Sequence, residues 1–262
     1  PRSLRIDLPQ PLTIDAGNTP LDDLLSREWL LANALGSYAS GTAAGCNTRR
    51  YHALLVAATT PPVGRWVAVS NVMEELKADG QVWELGANEF TGTFAPRGFE
   101  MLREFRNDVA ATFVYQAGER EITREILLAE NDNAVAVRYT LRGGRAALRI
   151  RPLLALRDFH HLRKVDEPHQ MTFSEAGGAV RVEERRHPAT PVVIACDTGS
   201  FQAGHEWWYD FCYRADLARG QDGHEDLYTP GAFACELGDG DTCQLTVSMG
   251  EPVAIDFDDA LH

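Results

Sequence analysis

The sequence predicts an all-β fold, an antiparallel two-sheet sandwich with few short helices, that spans residues 1–262 as a single domain. Three observations predict it. Short apolar runs alternate with a period of two, as half-buried strands do. Glycine-containing turns separate these runs at intervals of roughly ten residues, which is typical of an antiparallel sandwich. Helix signals are few, and no linker or internal repeat divides the chain.

Two segments carry helix signals. Thr19 and Pro20 precede the run 21–25 in the arrangement that begins a helix, and we expect about one turn there. The spacing of the apolar residues in 209–219 predicts a second helix, which Gly220 would end.

Strand patterns occupy most of the remaining chain. The alternation over 134–141 is typical of a half-buried strand, whereas the uniformly apolar run 51–58 predicts a central strand buried on both faces. Asp79 and Gly80 separate two strand patterns and form the strongest hairpin signal. Further alternations lie around 113–115, 148–150, 180–182 and 245–247, and further turn pairs are Ala117-Gly118, Gly143-Gly144, Gly177-Gly178 and Asp239-Gly240.

The composition argues against two classes of partner. The formal net charge of −13 argues against nucleic-acid binding, which needs a basic face. Acidic residues concentrate in 201–262, where 13 of them stand against two arginines, so this end is either a solvated surface or a face for a basic partner domain. No apolar run approaches the roughly 20 residues of a membrane helix, and we expect no membrane contact.

The cysteines and the start of the chain bear on localisation. The five cysteines are widely spaced and include no Cys-x-x-Cys pair, so we expect them to be buried and reduced. Residues 1–13 contain no apolar stretch of the kind that a secretory leader carries. Together these observations predict a cytoplasmic protein.

The first segment that could carry chemistry is 27–52. Small residues are dense in 36–45, but the segment lacks the lysine of a phosphate-binding loop and the Gly-x-Ser-x-Gly pattern of a nucleophile elbow. Arginines beside a buried strand are costly unless they are paired. Either they pair with carboxylates to fix the loop, or they anchor sugar hydroxyls or a neighbouring domain. The candidate residues are Asn47, Arg49, Arg50 and His52.

The second segment places two adjacent histidines after Asp158. If His160 and His161 lie on a strand, they point to opposite faces and cannot hold one metal ion together. No other histidine or cysteine stands at ligand spacing, so we expect no metal site. The simpler alternative is a histidine at a strand end that is held by Asp158.

The third segment, 206–231, combines aromatic rings with carboxylates. Aromatic clusters form either core or interface, or a platform on which the apolar faces of glucose units stack. Glycoside hydrolysis needs two carboxyl groups about 5–10 Å apart across a cleft, and adjacent residues on one strand seldom supply them. The residues alone therefore predict neither a complete enzyme nor a cofactor. The candidates here are Trp207, Trp208, Glu225, Asp226 and Tyr228.

These segments resemble the prokaryotic glycogen-debranching-enzyme N-terminal domain. The resemblance covers nearly the whole chain from about Glu28 onward, and its first block is long and specific. Ser37 and Ala53 depart from it, because they stand where the family pattern has glycine. The matching stretches are EWL at 28–30, NALGSYASGT at 33–42, NTRRYHALLV at 47–56, RPLL at 151–154, RDFHH at 157–161, RG at 219–220 and EDLYTPG at 225–231.

The resemblance implies a β-supersandwich and a complete protein that continues into an (α/α)6 barrel. It implies amylo-α-1,6-glucosidase activity, the hydrolysis of a glucose left at an α-1,6 branch stub of glycogen or a related α-glucan. It also implies that the acid and base lie on the barrel, which we expect to be absent from this chain. Two alternatives stay open. They are a stand-alone α-glucan-binding module and an independent enzyme that uses Asp158, Glu225 or Asp226.

A last expectation concerns position. The polar and aromatic residues concentrate in three distant stretches, 47–52, 158–161 and 207–228. Arginine and aromatic residues are favoured at the desolvated centres of interfaces. We therefore expect the three stretches to meet at one end of the sandwich and to face the barrel domain.

Overall fold

The strands of the computed structural model cover most of the residues it describes, which are 11–60, 63–165, 171–185 and 191–260. Most of the segment 1–13, from which the absence of a leader was predicted, lies outside these ranges. In chain order the strands are β1 (Leu12–Asp15), β2 (Glu28–Ala32), β3 (Tyr38–Thr42), β4 (Ala53–Thr60), β5 (Gly64–Ala78), β6 (Gln81–Glu84), β7 (Ala87–Phe90), β8 (Thr93–Arg97), β9 (Leu102–Asn107), β10 (Ala111–Ala117), β11 (Arg120–Leu128), β12 (Ala134–Arg142), β13 (Ala146–Asp158), β14 (Met171–Ala176), β15 (Ala179–Glu184), β16 (Val192–Cys196), β17 (Ser200–Cys212), β18 (His224–Leu237) and β19 (Thr242–Met249).

The strands form two antiparallel sheets. The nine-stranded sheet has the order β1-β9-β10-β11-β12-β19-β16-β15-β14. The ten-stranded sheet has the order β2-β3-β4-β5-β13-β18-β17-β7-β8, with β6 paired to β5. The predicted all-β antiparallel fold is therefore confirmed.

The main core lies between the two sheets, and a second apolar cluster lies on the other face of the ten-stranded sheet. In β4, Leu55 and Ala57 pack into the main core, whereas Ala53 and Val56 belong to the second cluster. Adjacent side chains of a strand point to opposite faces, and a register shift between Leu55 and Val56 changes the alternation, so both faces of this sheet are buried here. The prediction for the run 51–58 is confirmed in this respect, although β4 begins at Ala53.

The hairpin predicted at Asp79 and Gly80 joins β5 to β6. Both residues have positive φ, 51° and 76°. This is the requirement of a type I′ turn, whose twist matches that of the flanking strands. The other predicted turn pairs also separate consecutive strands.

The helices are short: α1 (Leu21–Ser26), α2 (Arg214–Leu217) and α3 (Phe257–Ala260). The first is the predicted helix, and Pro20 precedes it as the N-cap. The second prediction is wrong over 209–212, where β17 continues and only four helical residues follow. The ladder with β18 pairs Phe211 with Glu225, so tertiary pairing overrides the local spacing. No helix in the described ranges is long and apolar enough to cross a membrane.

Candidate functional site

An open cleft of about 550 Å³ lies beside β2, β3 and the loop that precedes β4. Aromatic rings and charged groups share its wall, so it offers both an apolar surface and hydrogen-bonding groups, as sugar sites do. Its lining residues are Glu28, Trp29, Leu30, Ala32, Gly36, Tyr38, Ser40, Arg49, Tyr51, His52, Arg65 and Phe159.

A carboxylate at the start of β2 organises the charges of this cleft. Glu28 forms an ion pair with Arg49, and its Oε1 lies 3.6 Å from Nε2 of His52. Two of the four residues that the sequence indicated in 47–52 thus share one carboxylate. Arg49 has the carboxylate partner that the loop-fixing alternative requires.

His52 is held as a neutral imidazole. Its Nδ1 accepts a hydrogen bond from the backbone N–H of Thr48 at 3.1 Å, so the proton of the neutral ring is on Nε2, which faces Glu28. Burial lowers the pKa of His52 to about 4. The charge of the nearby Glu28 acts in the opposite direction and raises this pKa, but by less. The ring therefore fixes the loop without carrying charge at neutral pH.

Tyr38 adds a protonated hydroxyl to the same wall. Its OH donates to the backbone oxygen of Tyr51 at 3.1 Å. Burial raises the pKa of Tyr38 to about 12. The hydroxyl is therefore a neutral hydrogen-bonding group and not a base.

Arg50 joins the three stretches that the sequence singled out. Its backbone N–H donates to Oδ2 of Asp216 at 2.7 Å. Its guanidinium donates to the backbone oxygens of His160 at 2.9 Å and Asp222 at 2.5 Å. The segments 47–52, 158–161 and 207–228 therefore meet, as the positional expectation requires, and Arg50 serves largely to hold them together.

The histidines occupy a turn and not a strand, because β13 ends at Asp158. His160 and His161 therefore need not point to opposite faces, as adjacent residues of a strand do. The backbone N–H of His160 donates to Oδ1 of Asp158 at 2.9 Å, and its Nδ1 lies 3.1 Å from the hydroxyl of Tyr51. His161 is 80% exposed, with Nδ1 3.5 Å from the same carboxylate oxygen. This is the arrangement of a histidine held at a strand end by Asp158.

Glu225 is fully buried and its carboxylate is saturated with donors. Arg157 binds both oxygens, with Nη2 at 2.8 Å from Oε2. The hydroxyl of Tyr213 donates to Oε2 at 2.6 Å, and the backbone N–H of Arg163 donates to Oε1 at 2.9 Å. A carboxylate held by a bidentate arginine and two further donors has a structural role.

Asp226 also accepts backbone hydrogen bonds. The N–H groups of Val165 and Asp210 each donate to it at 2.9 Å. The side chain is buried, and it fixes the segment after β13 against β17. The two adjacent carboxylates suggested for an independent enzyme are thus both committed to the fold.

The remaining sequence candidates lie outside the cleft. The rings of Trp207 and Tyr228 are tilted against each other, with centroids 5.3 Å apart; Tyr228 belongs to the main core and Trp207 packs against it. Trp208 lies on the opposite face, against the second cluster, with Arg151 over its ring at 5.5 Å. Asn47 donates to the backbone oxygen of Ser70 at 2.9 Å and so holds the loop. Of the five aromatic residues in 207–213, two are buried, two are half-buried against the apolar clusters and Tyr209 is exposed.

Several cleft residues were not singled out from the sequence. Glu28, Tyr38, Tyr51 and Phe159 lie within or beside the family-like segments, but their side chains gave no separate signal. Only their position in the fold points to these residues. For example, β2 pairs with β3 and so brings Glu28 opposite Thr42.

A larger open cleft of about 950 Å³ lies beside 127–132 and 253–256. Its wall includes five carboxylates and no aromatic ring among the described residues. A sugar ring stacks on an aromatic face, so this cleft is the weaker candidate for a glucan.

The fold and the 550 Å³ cleft define a class of protein: an antiparallel two-sheet sandwich domain with an open cleft of aromatic and ion-paired residues. The chain belongs to the glycogen debranching enzyme N-terminal family, whose model, "Glycogen debranching enzyme N terminal", matches residues 27–244. The resemblance stated from the sequence is confirmed. The comparison with curated proteins finds no match.

Solved structures give distant likenesses. A bacterial glucoamylase complexed with acarbose aligns with a TM-score of 0.42 at 10% identity, covering 92% of this chain and 32% of that one. A putative aldose 1-epimerase from Escherichia coli K12 gives 0.40 at 10%, covering 86% and 100%. A 4-α-glucanotransferase from Thermococcus litoralis gives 0.37 at 11%, covering 86% and 37%. The chain thus spans about a third of the glucoamylase chain.

Proposed function

We propose that this chain is the non-catalytic N-terminal module of a glycogen-debranching glycosidase. It supports a C-terminal helical-barrel domain of the same polypeptide, and its cleft helps to shape the site for a glycogen-like α-glucan. The parent reaction is amylo-α-1,6-glucosidase hydrolysis of branch stubs, in the cytoplasm, without a cofactor in this module. The family membership supports the first part of this proposal.

The observation that carries the proposal is the composition of the 550 Å³ cleft. The ring faces of Tyr38, Tyr51 and Phe159 suit the apolar faces of glucose. The ion pair of Glu28 and Arg49 and the protonated hydroxyl of Tyr38 suit its hydroxyl groups. Sugar sites combine a few placed polar groups with such an apolar wall.

The state of the carboxylates supports the non-catalytic part of the proposal. Glu225 and Asp226 are buried and fully engaged by the fold. In the cleft, the carboxylate of Glu28 is engaged in an ion pair with Arg49. Hydrolysis requires a protonated acid and a second carboxyl group across the substrate.

The activity test uses a dextrin with single-glucose α-1,6 stubs. The purified chain alone should release no glucose above background, whereas the polypeptide with its barrel should. Glucose release by the chain, abolished in Glu225→Gln or Asp226→Asn variants that keep their circular dichroism spectrum, would overturn the non-catalytic assignment.

A stand-alone α-glucan-binding module is the second candidate, favoured by the openness of the cleft to solvent. Trp29 lines this cleft, so its fluorescence reports binding. Saturable binding of maltooligosaccharides by the chain alone, lost in Tyr51→Ala, would favour the stand-alone module. Binding that requires the barrel would favour the shared site.

A further inference from the structure

Three cysteines far apart in sequence meet between the two sheets. Cys196 ends β16, Cys235 lies on β18 and Cys243 lies on β19. The Sγ atoms of Cys235 and Cys243 are 2.7 Å apart, and Cys196 Sγ lies 3.6 Å from the first and 3.3 Å from the second. The cysteines show no ligand spacing in the sequence. Their grouping arises only when the strands pair and the two sheets pack, which linear spacing does not reveal.

The cluster bridges the sheets. Cys196 and Cys243 belong to the nine-stranded sheet, and Cys235 belongs to the ten-stranded sheet. Their exposed fractions are 9%, 0% and 2%, so Cys196 is the member through which solvent reaches the site. All five cysteines are free and buried, and Cys46 and Cys212 lie outside this group.

The turn after β16 is built closely against the sulphurs. A Cβ atom at Gly199 would lie 2.7 Å from Cys196 Sγ and 2.8 Å from Cys235 Sγ, so this position needs glycine. The backbone N–H groups of Gly199 and Thr198 lie beside Cys196. Donors of this kind stabilise a thiolate.

The thiols also act on one another. Hydrogen bonds from Cys235 and then from Cys243 lower the pKa of Cys196. The hydrogen bond with Cys196 is the main reason that the pKa of Cys235 is raised to about 12. The same interaction also raises the pKa of Cys243. The three sulphurs are therefore close enough to interact directly with one another.

We propose that Cys196, Cys235 and Cys243 form a binding site for one soft, thiophilic cation, Zn²⁺ or Cu⁺. Three convergent sulphur ligands are what such cations select over oxygen-rich sites. The ion would tie β16 and β19 of one sheet to β18 of the other and so stabilise the sandwich. This proposal is independent of the glucan-facing role of the cleft.

The geometry suits such an ion after a small adjustment. Zn–S bonds of about 2.3 Å in a tetrahedral site place the sulphurs about 3.8 Å apart. The Sγ atom of Cys196 lies 3.3 Å from that of Cys243 and 3.6 Å from that of Cys235, which nearly matches this spacing. The Sγ atoms of Cys235 and Cys243 must move apart by about 1 Å. The side chain of Thr198 lies near Cys235 and Cys243, so its hydroxyl or a water can fill a fourth position for Zn²⁺. Cu⁺ needs only the three sulphurs.

The test titrates the reduced 262-residue chain with Cd²⁺, whose thiolate complexes absorb in the near ultraviolet. We expect one equivalent to saturate the absorbance and to raise the melting temperature. Competition with Zn²⁺ and with Cu⁺ then identifies the preferred ion. Cys196→Ser, at the most accessible ligand, should weaken Cd²⁺ binding about tenfold or more.

Matched controls are Cys46→Ser and Cys212→Ser, which remove buried thiols outside the cluster and should bind Cd²⁺ as the wild type does. Gly199→Ala keeps all five thiols but crowds two ligands, so it should weaken binding if the site is as described. Unchanged affinity in Cys196→Ser and Gly199→Ala, or equal losses in the control variants, would overturn the proposal. So would the absence of saturable binding by the folded wild-type chain.

Discussion

At the scale of single residues, His52 shows how the loop before β4 depends on a neutral ring. Nδ1 of His52 accepts the N–H of Thr48, and burial keeps the pKa near 4. The charged groups that face the ring are Glu28, Arg49 and Asp216. Protonation would remove the acceptor of the Thr48 N–H and place a positive charge in a buried position.

This arrangement predicts a pH dependence of stability. The pKa of His52 is lowered from 6.5 to about 4 in the folded chain, so the unfolded chain binds the proton first as pH falls. The stability that His52 contributes is complete above pH 6.5 and is lost as pH drops towards 4. The loss is roughly 3 kcal/mol.

The measurement compares urea unfolding of the wild type and His52→Asn between pH 7 and pH 4. Asn keeps an acceptor for Thr48 but does not titrate, so the stability difference between the two chains should shrink as pH falls. His161→Asn is the control, because that ring is exposed and its replacement should leave the pH profile unchanged. A constant wild-type advantage over His52→Asn at all pH values would contradict the account.

At the scale of elements, the C-terminal end of β13 is anchored to β18 by a buried ion pair. Arg157 and Glu225 are 4% and 0% exposed, and Arg157 also donates to the backbone oxygen of Arg50 at 3.0 Å. One arginine thus fixes the strand end, the loop before β4 and the carboxylate of β18. Through Arg50, the anchor also positions the wall of the cleft.

Removing the arginine of this pair should be strongly destabilising. Arg157→Ala leaves Glu225 buried without its partner, and we expect a loss of about 3–5 kcal/mol in the free energy of unfolding. Arg181→Ala is the matched control, because Arg181 pairs with Glu183 on the surface and its loss should be about 0–1 kcal/mol. Similar losses in both variants, measured by denaturant unfolding, would show that the buried pair is no anchor.

The elements that were predicted correctly are those whose backbone conformation depends on residues close together in the sequence. The positive φ values of the Asp79-Gly80 turn and the proline before α1 are local requirements, and the sequence meets them. The helix prediction over 209–219 failed because Phe211 and Cys212 pair with Glu225 and His224, which lie beyond the segment whose spacing was judged. Local spacing carries no information about such a partner.

At the scale of the whole molecule, the sandwich brings polar segments that are distant in sequence into contact. The meeting of 47–52, 158–161 and 207–228 was predictable from the clustering of polar and aromatic residues in an otherwise regular β chain. The detailed cleft was not, because Trp207 and Tyr228 turn to the core while Tyr38 and Phe159 line the opening. The face of a strand depends on register, and bulges in β13 and β17 shift it.

The proposed function requires that the cleft shapes the glucan site of a barrel domain. Its most direct test is the steady-state kinetics of the polypeptide that joins this chain to its barrel, with branched dextrin as substrate. Arg49→Ala, in the cleft, and His161→Ala, exposed beside it, should lower kcat/KM about tenfold, or about 1.4 kcal/mol, while thermal stability changes little. Arg181→Ala, on the nine-stranded sheet, should match the wild type. If Arg49→Ala and His161→Ala also keep the wild-type kcat/KM, the cleft has no part in catalysis and its polar residues serve only to fix the loop.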